Sequence, residues 1–289
     1  MRVARDTGAP GALRAVVVGL VAIFLGGCTG ATPSSQERTL RVCADPNNLP
    51  FSNEAQEGFE NRIAELAARE LGARLEYSWW PQRRGFVRNT LRAGICDVII
   101  GVPTSFELAA TTRPYYRSTY VFVTRAGDPI PESFDDPLLT RVTVGAHLIG
   151  DDGANTPPVH ALSSRGIITN LRGYSIYGDY GSPNPPAMLI NAVARGEVDM
   201  AVAWGPLAGY FTKRDHLDLV LTPVSPEIDL PFLPFIFDIA MGVERENHAL
   251  LEELDGFIAN HRDTLDAILA DYNVPRADRR RRAAAAEPR

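Results

Sequence analysis

The chain has 289 residues, of which 45% are hydrophobic, and its formal net charge is −6. This length is sufficient for two domains with separate cores. Residues 276–289 hold six arginines against two acids, and residues 1–28 hold three arginines against one acid, so the segment between them carries a net charge of −12. An acidic body of this kind excludes nucleic acid as the expected partner.

The N-terminus has the pattern of an export signal. Three arginines flank or precede an apolar run at 15–25, whose eleven residues are too few for a spanning helix of about 20 residues. The run leads into Gly-Gly-Cys28, which resembles a bacterial lipobox, in which the cysteine is lipidated. We expect a lipoprotein signal peptide at 1–28 and a polar tether at 29–39. The protein would then be periplasmic, with a lipid anchor as its only membrane contact. A plain secretory signal with an incidental Cys28 is the alternative.

Export also decides how the cysteines are interpreted, because an oxidising compartment permits disulfides. With Cys28 assigned to the anchor, Cys43 and Cys96 remain, and both stand at the ends of predicted strands. We expect them to form a disulfide, with two buried free thiols as the alternative. The sequence contains no Cys-x-x-Cys motif and no Cys/His metal spacing, so neither a metal nor a cofactor is expected.

Strands and helices alternate in the first part of the exported chain. Strands are predicted at 40–44, 75–79 and 97–101, and helices at 58–71 and 86–93. The first helix has its apolar residues on one face, and Gly72 and Gly94 end the two helices. Alternation of this kind predicts βαβ units in a parallel sheet.

The same order of elements then recurs. Strands are predicted at 141–147, 174–178 and 198–203, and helices at 157–166, with Thr156 as its cap, and at 186–195. The stretch LRAGICDVIIG (91–101) is echoed by VARGEVDMAVAWG (193–205), in which Gly94 and Asp97 match Gly196 and Asp199. In both, the glycine would end a helix and the aspartate would open a buried strand. The sequence therefore predicts two half-sized α/β units.

Two long apolar strands, at 118–125 and 233–243, connect these units. The two amphipathic helices after the second strand have no sheet of their own, so we expect them to pack on the first unit. Because the chain crosses between the two units twice, we predict a two-strand hinge and a cleft between the units that opens and closes. The expected boundaries are lobe 1 at 40–124 and 236–275, lobe 2 at 125–235, and a disordered Arg-rich tail at 276–289.

Ligands of open parallel sheets bind beyond the carboxyl ends of the strands. In both units the loops at these ends are rich in aromatic, amide and carboxylate side chains, which suit a small-molecule or peptide site. Alternatives remain open: Asp45 could serve only a turn, Asp151 and Asp152 could cap a helix, and either Trp79 or Trp80 could pack in the core. The expected ligand contacts are Asp45, Asn48, Phe51, Trp79, Trp80, Arg83, Thr104, Tyr115, Tyr116, Asp151, Asp152, Asn155, Thr156, Asp179, Tyr180 and Trp204.

Motifs for catalysis are missing from the sequence. It has no HExxH, no GxSxG, no Walker loop and no GxGxxG after a strand. Its five histidines are scattered, and we expect them at surface or capping positions. The sequence therefore does not predict an enzyme.

Several long stretches resemble the J proteins of bacterial methanol-oxidation clusters. This MxaJ/XoxJ group of quinoprotein dehydrogenase-associated proteins lies within the type II periplasmic solute-binding proteins, the receptors of ABC importers. The resemblance covers about residues 40–275 and implies an α/β fold of two lobes, each with a mainly parallel sheet, joined by a two-strand hinge. The most specific stretches are VCADPNNLPFSN (42–53), CDVIIGVP (96–103), LIGDDGANTPP (148–158) and GEVDMAVAWGPLAGYF (196–211).

The resemblance also implies a partner and a role for the cleft. The partner would be a periplasmic PQQ-dependent dehydrogenase, with its c-type cytochrome nearby, and the cleft would hold a polypeptide or assist maturation of the dehydrogenase. Because the loops are rich in aromatic residues, we also hypothesise that Trp80, Tyr115, Tyr116, Tyr180 and Trp204 form the contact surface.

A solute receptor that delivers a small molecule to an ABC permease is the alternative. In polar amino-acid receptors of this class, an arginine shortly after the third strand holds the α-carboxylate of the ligand. Here that region offers Glu107 and no arginine before Arg113. An α-amino acid is therefore not the expected ligand.

Overall fold

The computed structural model describes residues 37–149, 155–175 and 181–278. The first part contains β1 (Thr39–Ala44), β2 (Asn47–Asn48), β3 (Ser52–Asn53), α1 (Phe59–Glu70), β4 (Arg74–Trp79), α2 (Phe86–Asn89), β5 (Val98–Pro103) and β6 (Ala110–Thr111). The middle part contains β7 (Tyr116–Arg125), β8 (Val144–Leu148), α3 (Pro157–Ser164), β9 (Leu171–Ser175), α4 (Met188–Ala194), β10 (Met200–Trp204), α5 (Gly205–Arg214), β11 (Leu219–Pro223), β12 (Ile228–Asp229) and β13 (Leu233–Pro234). The last part contains β14 (Ile236–Val243), α6 (His248–Asn260) and α7 (Arg262–Asp271).

The sheet of lobe 1 has the strand order β4-β1-β5-β14. Its first three strands are parallel, and β14 is antiparallel to β5. Helices α1, α6 and α7 cover one face, where Ile63, Leu254 and Leu269 belong to one buried cluster with the sheet. A smaller cluster around α2 covers the other face, and it includes the disulfide between Cys43 and Cys96, whose Cα atoms are 5.4 Å apart.

The sheet of lobe 2 repeats this design, with the strand order β9-β8-β10-β7-β11. Strands β9, β8 and β10 are parallel, and β7 runs antiparallel to its two neighbours. One face packs against α4 and α5 through Leu189 and Phe211, and the other packs against α3 through Leu162. The structure thus confirms the predicted α/β class with two mainly parallel sheets.

Strands β7 and β14 join the two lobes. Residues Tyr116–Thr119 of β7 pair with Ile236–Ile239 of β14, whereas β7 from Tyr120 onward pairs with β10. Because the two hinge strands pair with each other, the hydrogen-bonded path is continuous from β4 to β9, which differs from the separate sheets that we expected. In the described ranges, no other strand pair connects the two sheets.

The duplicated Gly–Asp motif forms the same joint in both lobes, which is the connection between the end of a helix and the start of the third strand. Gly94 and Gly196 have φ values of 68° and 72°, a left-handed conformation that glycine adopts readily after a helix. The Asp97 carboxylate accepts the Arg41 backbone N–H at 2.9 Å, and the Asp199 carboxylate accepts the Thr143 N–H at 2.7 Å, each across a separation of 56 residues. Each aspartate also donates its own N–H to the carbonyl of the same partner. The joint therefore fastens the third strand of each lobe to the first.

Three local features differ from the sequence predictions. Helix α5 and strand β11 were not predicted, although Pro206 occupies a position in the first turn of α5 that suits proline. The helix predicted at 86–93 ends at Asn89, because Thr90 adopts a non-helical backbone, and a 3-10 turn follows. Thr156 does not cap α3 through its side chain; its hydroxyl donates to the His147 carbonyl at 2.8 Å.

The C-terminal helices pack on lobe 1, as predicted, through α1 and β14. The chain stays ordered beyond them into the predicted disordered tail, because the Arg276 guanidinium pairs with Asp266 and Asp278 and its side chain is only 8% exposed. This segment also reaches lobe 2, since the Asn273 amide donates to the Gly209 carbonyl at 2.9 Å.

Several predicted segments lie outside the described residues: the signal peptide at 1–28, the tether up to residue 36, and the tail from residue 279. Thr39, the last residue of the predicted tether, already belongs to β1. In the part of the chain that the structure describes, no helix has the length and apolar character needed to cross a membrane.

Removing either aspartate of the joint should destabilise the fold. We expect Asp97→Ala to lower the free energy of unfolding by about 2 kcal/mol, because it removes charge-assisted bonds to a backbone N–H and to the Arg41 guanidinium. Asp199→Ala should cost about 1 kcal/mol, since its side chain is 51% exposed against 21% for Asp97. Urea denaturation measures both values.

The matched control for this prediction is Glu252→Ala, which changes an exposed acid on α6 and should shift stability by less than about 0.5 kcal/mol. Equal effects of all three substitutions would show that the aspartates do not fasten the strands.

Candidate functional site

A cavity of about 410 Å³ lies between the lobes. This volume falls within the range of small-molecule sites. Lobe 1, lobe 2 and both hinge strands contribute to it. Its lining residues are Asp45, Asn47, Asn48, Phe51, Glu60, Gln82, Gly101, Val102, Pro103, Tyr116, Tyr120, His147, Thr156, Pro186, Trp204, Leu207, Phe237 and Ile239.

The loop after β1 forms the first wall of the cavity. The buried Asp45 carboxylate accepts backbone N–H groups from Asn47 at 2.9 Å and from Gln82 at 2.6 Å. The Ser52 hydroxyl closes the loop, because it donates to the Asp45 carbonyl and accepts the Asp45 N–H. Asp45 thus stabilises the turn through its hydrogen bonds, which was one of the alternatives considered. It also lines the cavity, as does Phe51.

Glu60 lies in the first turn of α1, directly after this loop. Its carboxyl group lies against Gly101 of β5, in the space that a Cβ atom at position 101 would occupy. Burial raises the pKa of Glu60 to about 8, and the nearby Asp45 charge contributes further. At neutral pH this side chain is therefore mainly protonated.

The hinge strands form the floor. Alternate residues of a strand face the same side, so β7 presents Tyr116 and Tyr120, and β14 presents Phe237 and Ile239. The ring centroid of Tyr120 lies 5.2 Å from that of Trp204, and the Phe237 ring lies 5.8 Å from Trp204. Burial raises the pKa of both tyrosines, so their hydroxyls stay neutral.

Lobe 2 supplies the opposite wall, with His147 at the carboxyl end of β8. Its side chain is buried, and burial lowers the pKa of His147 to about 4. The imidazole is therefore uncharged at neutral pH. The sequence analysis placed the histidines at surface or capping positions, and His147 is the exception because its strand ends inside the cleft.

The two lobes touch at the cleft. The Asn47 side chain of lobe 1 donates to the Ser182 carbonyl of lobe 2 at 3.0 Å. Leu49, from the same loop, is buried in the apolar cluster of lobe 2. The cleft is therefore closed in this structure.

The cavity is poor in positive charge. None of the described residues that line it is an arginine or a lysine. Across residues 37–149, 155–175 and 181–278, no group of His, Cys, Asp and Glu side chains is arranged to hold a metal ion.

Part of the predicted contact set meets in this cavity: Asp45, Asn48, Phe51, Tyr116, Thr156 and Trp204. Four others, Asp151, Asp152, Asp179 and Tyr180, lie outside the described residues. The remaining members are elsewhere, for different physical reasons.

Trp79 stacks on Tyr77, with ring centroids 4.6 Å apart, and packs against the lobe 1 core. Trp80, Arg83 and Thr104 are exposed and do not line the cavity. The Asn155 side chain accepts the Ile149 N–H at 3.4 Å.

Tyr115 is fully buried in the lobe 1 core, because it and Tyr116 point to opposite sides of the chain where it enters β7. The expected aromatic contact surface therefore does not form as one group. Within it, Trp80 is exposed, whereas Tyr116 and Trp204 line the cavity.

Glu60, Tyr120, His147 and Phe237 were missed by the sequence analysis. The alternation along the hinge strands would have placed Tyr120 with Tyr116, and the rule for carboxyl ends of strands would have included His147. No sequence signal indicates Glu60, because its position depends on Gly101 of a distant strand.

The paired lobes, the two-strand hinge and the cavity between the lobes define a two-lobed binding protein. Residues 40–274 match the bacterial extracellular solute-binding proteins, family 3, and the chain belongs to this family.

The protein is also similar to members of the MxaJ/XoxJ group, which confirms that resemblance. Protein MoxJ of Methylorubrum extorquens is 32% identical over 82% of this chain and 81% of its own. The periplasmic binding protein XoxJ from Methylobacterium extorquens AM1 is 33% identical, with a TM-score of 0.67, over 82% of this chain and 99% of that one. MxaJ from Methlophaga aminisulfidivorans MPT is 27% identical, with a TM-score of 0.73, over 82% and 100% of the two chains.

The raised pKa of Glu60 predicts a specific effect on stability. Between its ordinary pKa of 4.5 and about 8, the folded state holds a proton that the unfolded state releases, so stability falls as pH rises. Glu60→Gln removes this pH-dependent loss of stability, because glutamine does not titrate. The stability of the variant relative to the wild type should therefore increase with pH across this window, by at most about 1.4 kcal/mol per pH unit.

Urea titrations at several pH values between about 5 and 8 measure this difference. Glu65→Gln, an exposed change on the same helix, is the control and should follow the wild type. A difference between Glu60→Gln and wild type that does not vary with pH would contradict the raised pKa of Glu60.

Proposed function

We propose that the protein is a periplasmic, non-catalytic accessory factor of a PQQ-dependent methanol or alcohol dehydrogenase system. It would engage the dehydrogenase, with its c-type cytochrome nearby, and bind a polypeptide or a ligand in the interlobe cleft. The main support is the similarity to XoxJ, which extends over nearly the whole length of that protein.

The composition of the cavity supports binding rather than catalysis. Thr156 contributes a hydroxyl, but this group donates to the His147 carbonyl and not to a base. The described lining contains no serine, cysteine or lysine that could act as a nucleophile.

The location follows from the family together with the N-terminal pattern. Membership of a family of extracellular binding proteins supports the periplasm. We propose that residues 1–28 form the signal peptide, that Cys28 carries the lipid, and that the following residues tether the two lobes to a membrane. The lobe boundaries proposed are 40–124 with 236–275, and 125–235.

An ABC importer receptor is the second candidate, and the cavity between the lobes, with a volume in the range of small-molecule sites, favours it. Its solute would not be an ordinary α-amino acid. Arg113 pairs with Asp255 on α6 instead of lining the cavity, so the carboxylate of an amino acid would find no arginine or lysine among the described lining residues.

Affinity capture from the native periplasm tests the proposal. The tagged chain should recover a PQQ-dependent dehydrogenase, identified by mass spectrometry. Trp80, which is 40% exposed beside the cleft loop, is a proposed contact. Trp80→Ala should therefore reduce recovery by about fivefold or more, the loss typical of an aromatic interface residue.

Ile130→Ala is the matched control, since Ile130 is 43% exposed and should be neutral. Recovery of permease and ATPase components without any dehydrogenase would favour the importer instead.

A further inference from the structure

Several polar groups that line the cavity have no hydrogen-bond partner among the described residues. Among the described residues, none donates a hydrogen bond to the Glu60 carboxyl group and none forms an ion pair with it. The hydroxyls of Tyr116 and Tyr120 and the ring of His147 likewise have no partner within the described ranges, although all of these residues line the cavity. These groups border a cavity that solvent can reach, so they are able to hydrogen-bond to water or to a ligand.

The charge of the cavity selects among ligand classes. Two carboxyl groups, those of Asp45 and Glu60, line the cavity, and none of the described lining residues is an arginine or a lysine. An anion would meet no counter-charge there, and a zwitterion would leave its carboxylate unpaired. A cation would instead gain the attraction of Asp45 and would favour ionisation of Glu60.

Aromatic faces complete the environment that a cation requires. Tyr120, Trp204 and Phe237 form a three-ring group with centroids 5.2 to 6.5 Å apart, and Phe51 and Tyr116 lie on the lobe 1 side. Arginines of this chain stack on other rings, such as Tyr210, Phe211 and Tyr272. The cavity rings therefore remain available to a ligand cation, and organic ammonium groups bind to such rings.

We propose that the cavity binds a small organic ammonium ion, which lies against Tyr120, Trp204 and Phe237 and pairs with the carboxylate of Glu60. This inference rests on the part of the proposed function that gives the cleft a ligand, and it names the class of that ligand. Contributions from both lobes to the cavity suit a free molecule better than a side chain presented by a folded partner.

Proton release should accompany binding. The titratable groups that face Glu60 are Asp45, Tyr77, Tyr115 and Tyr116, and His147 borders the same cavity from lobe 2. Burial keeps the tyrosines and His147 uncharged near neutral pH, so Glu60 is the group that changes charge. Ammonium binding then displaces its proton, and affinity should increase as pH rises from about 6 to about 8.

Calorimetry on the full chain with choline tests this directly. The control ligand is 3,3-dimethyl-1-butanol, which has the same shape without the charge. Choline should bind at least about tenfold more tightly than the alcohol, and its affinity should rise with pH.

Two variants separate charge from folding. Glu60→Gln should weaken choline binding about tenfold or more and abolish the pH dependence, with no loss of affinity for the alcohol. Glu65→Gln should behave as the wild type. Retained thermal stability of Glu60→Gln shows that the variant is folded.

Absence of choline binding, equal or tighter binding of the alcohol, or an unchanged pH dependence in Glu60→Gln would each overturn the proposal. Capture of the dehydrogenase does not depend on choline. A negative calorimetric result together with a recovered dehydrogenase would therefore reject the ammonium site and leave the accessory role standing.

Discussion

The pairing of β7 with β14 is the constraint on which both the cleft and its chemistry depend. Each lobe has its own sheet, and within the described chain only these two strands join the sheets. The alternation of side chains along the same strands directs Tyr116, Tyr120 and Phe237 into the cavity. The hinge is therefore also the floor of the site. A change in the angle between the lobes must alter how these rings meet whatever the cavity holds.

The lobes are built to be stiffer than the contact between them. Asp97 and Asp199 fasten the first and third strands of their lobes in the same way, each beside cores on both faces of a sheet. Across the cleft, the Asn47 side chain donates to the Ser182 carbonyl, a hydrogen bond worth about 1 kcal/mol, and Leu49 is buried in the apolar cluster of lobe 2, which contributes about 2 kcal/mol. Opening about the hinge would therefore break a small set of contacts, whereas a distortion within a lobe would disrupt a whole core. The segment around Asn273, which reaches α5, spans the lobes at a second place.

The repeated Gly–Asp phrase was sufficient to predict two α/β units, because local turn chemistry and strand burial determine it. The rule for carboxyl ends of strands then identified Asp45, Phe51 and Trp204 at the cavity. This rule did not identify residues whose place in the cavity depends on tertiary contacts. Glu60 looks like an ordinary acid in the first turn of a helix, where the helix dipole favours it, until Gly101 is placed against it. Tyr115 and Tyr116 could not be separated, because both are buried and only the pairing of β7 assigns their sides.

Distances between spin labels test most directly whether the lobes are rigid units on a soft hinge. The labels replace exposed residues in a chain with Cys28→Ser: Glu252 on α6 with His160 on α3 across the lobes, and Glu252 with Arg92 within lobe 1. Electron–electron double resonance should give a clearly broader distribution for the cross-lobe pair than for the pair within lobe 1. Equally narrow distributions for both pairs would contradict a hinged cleft.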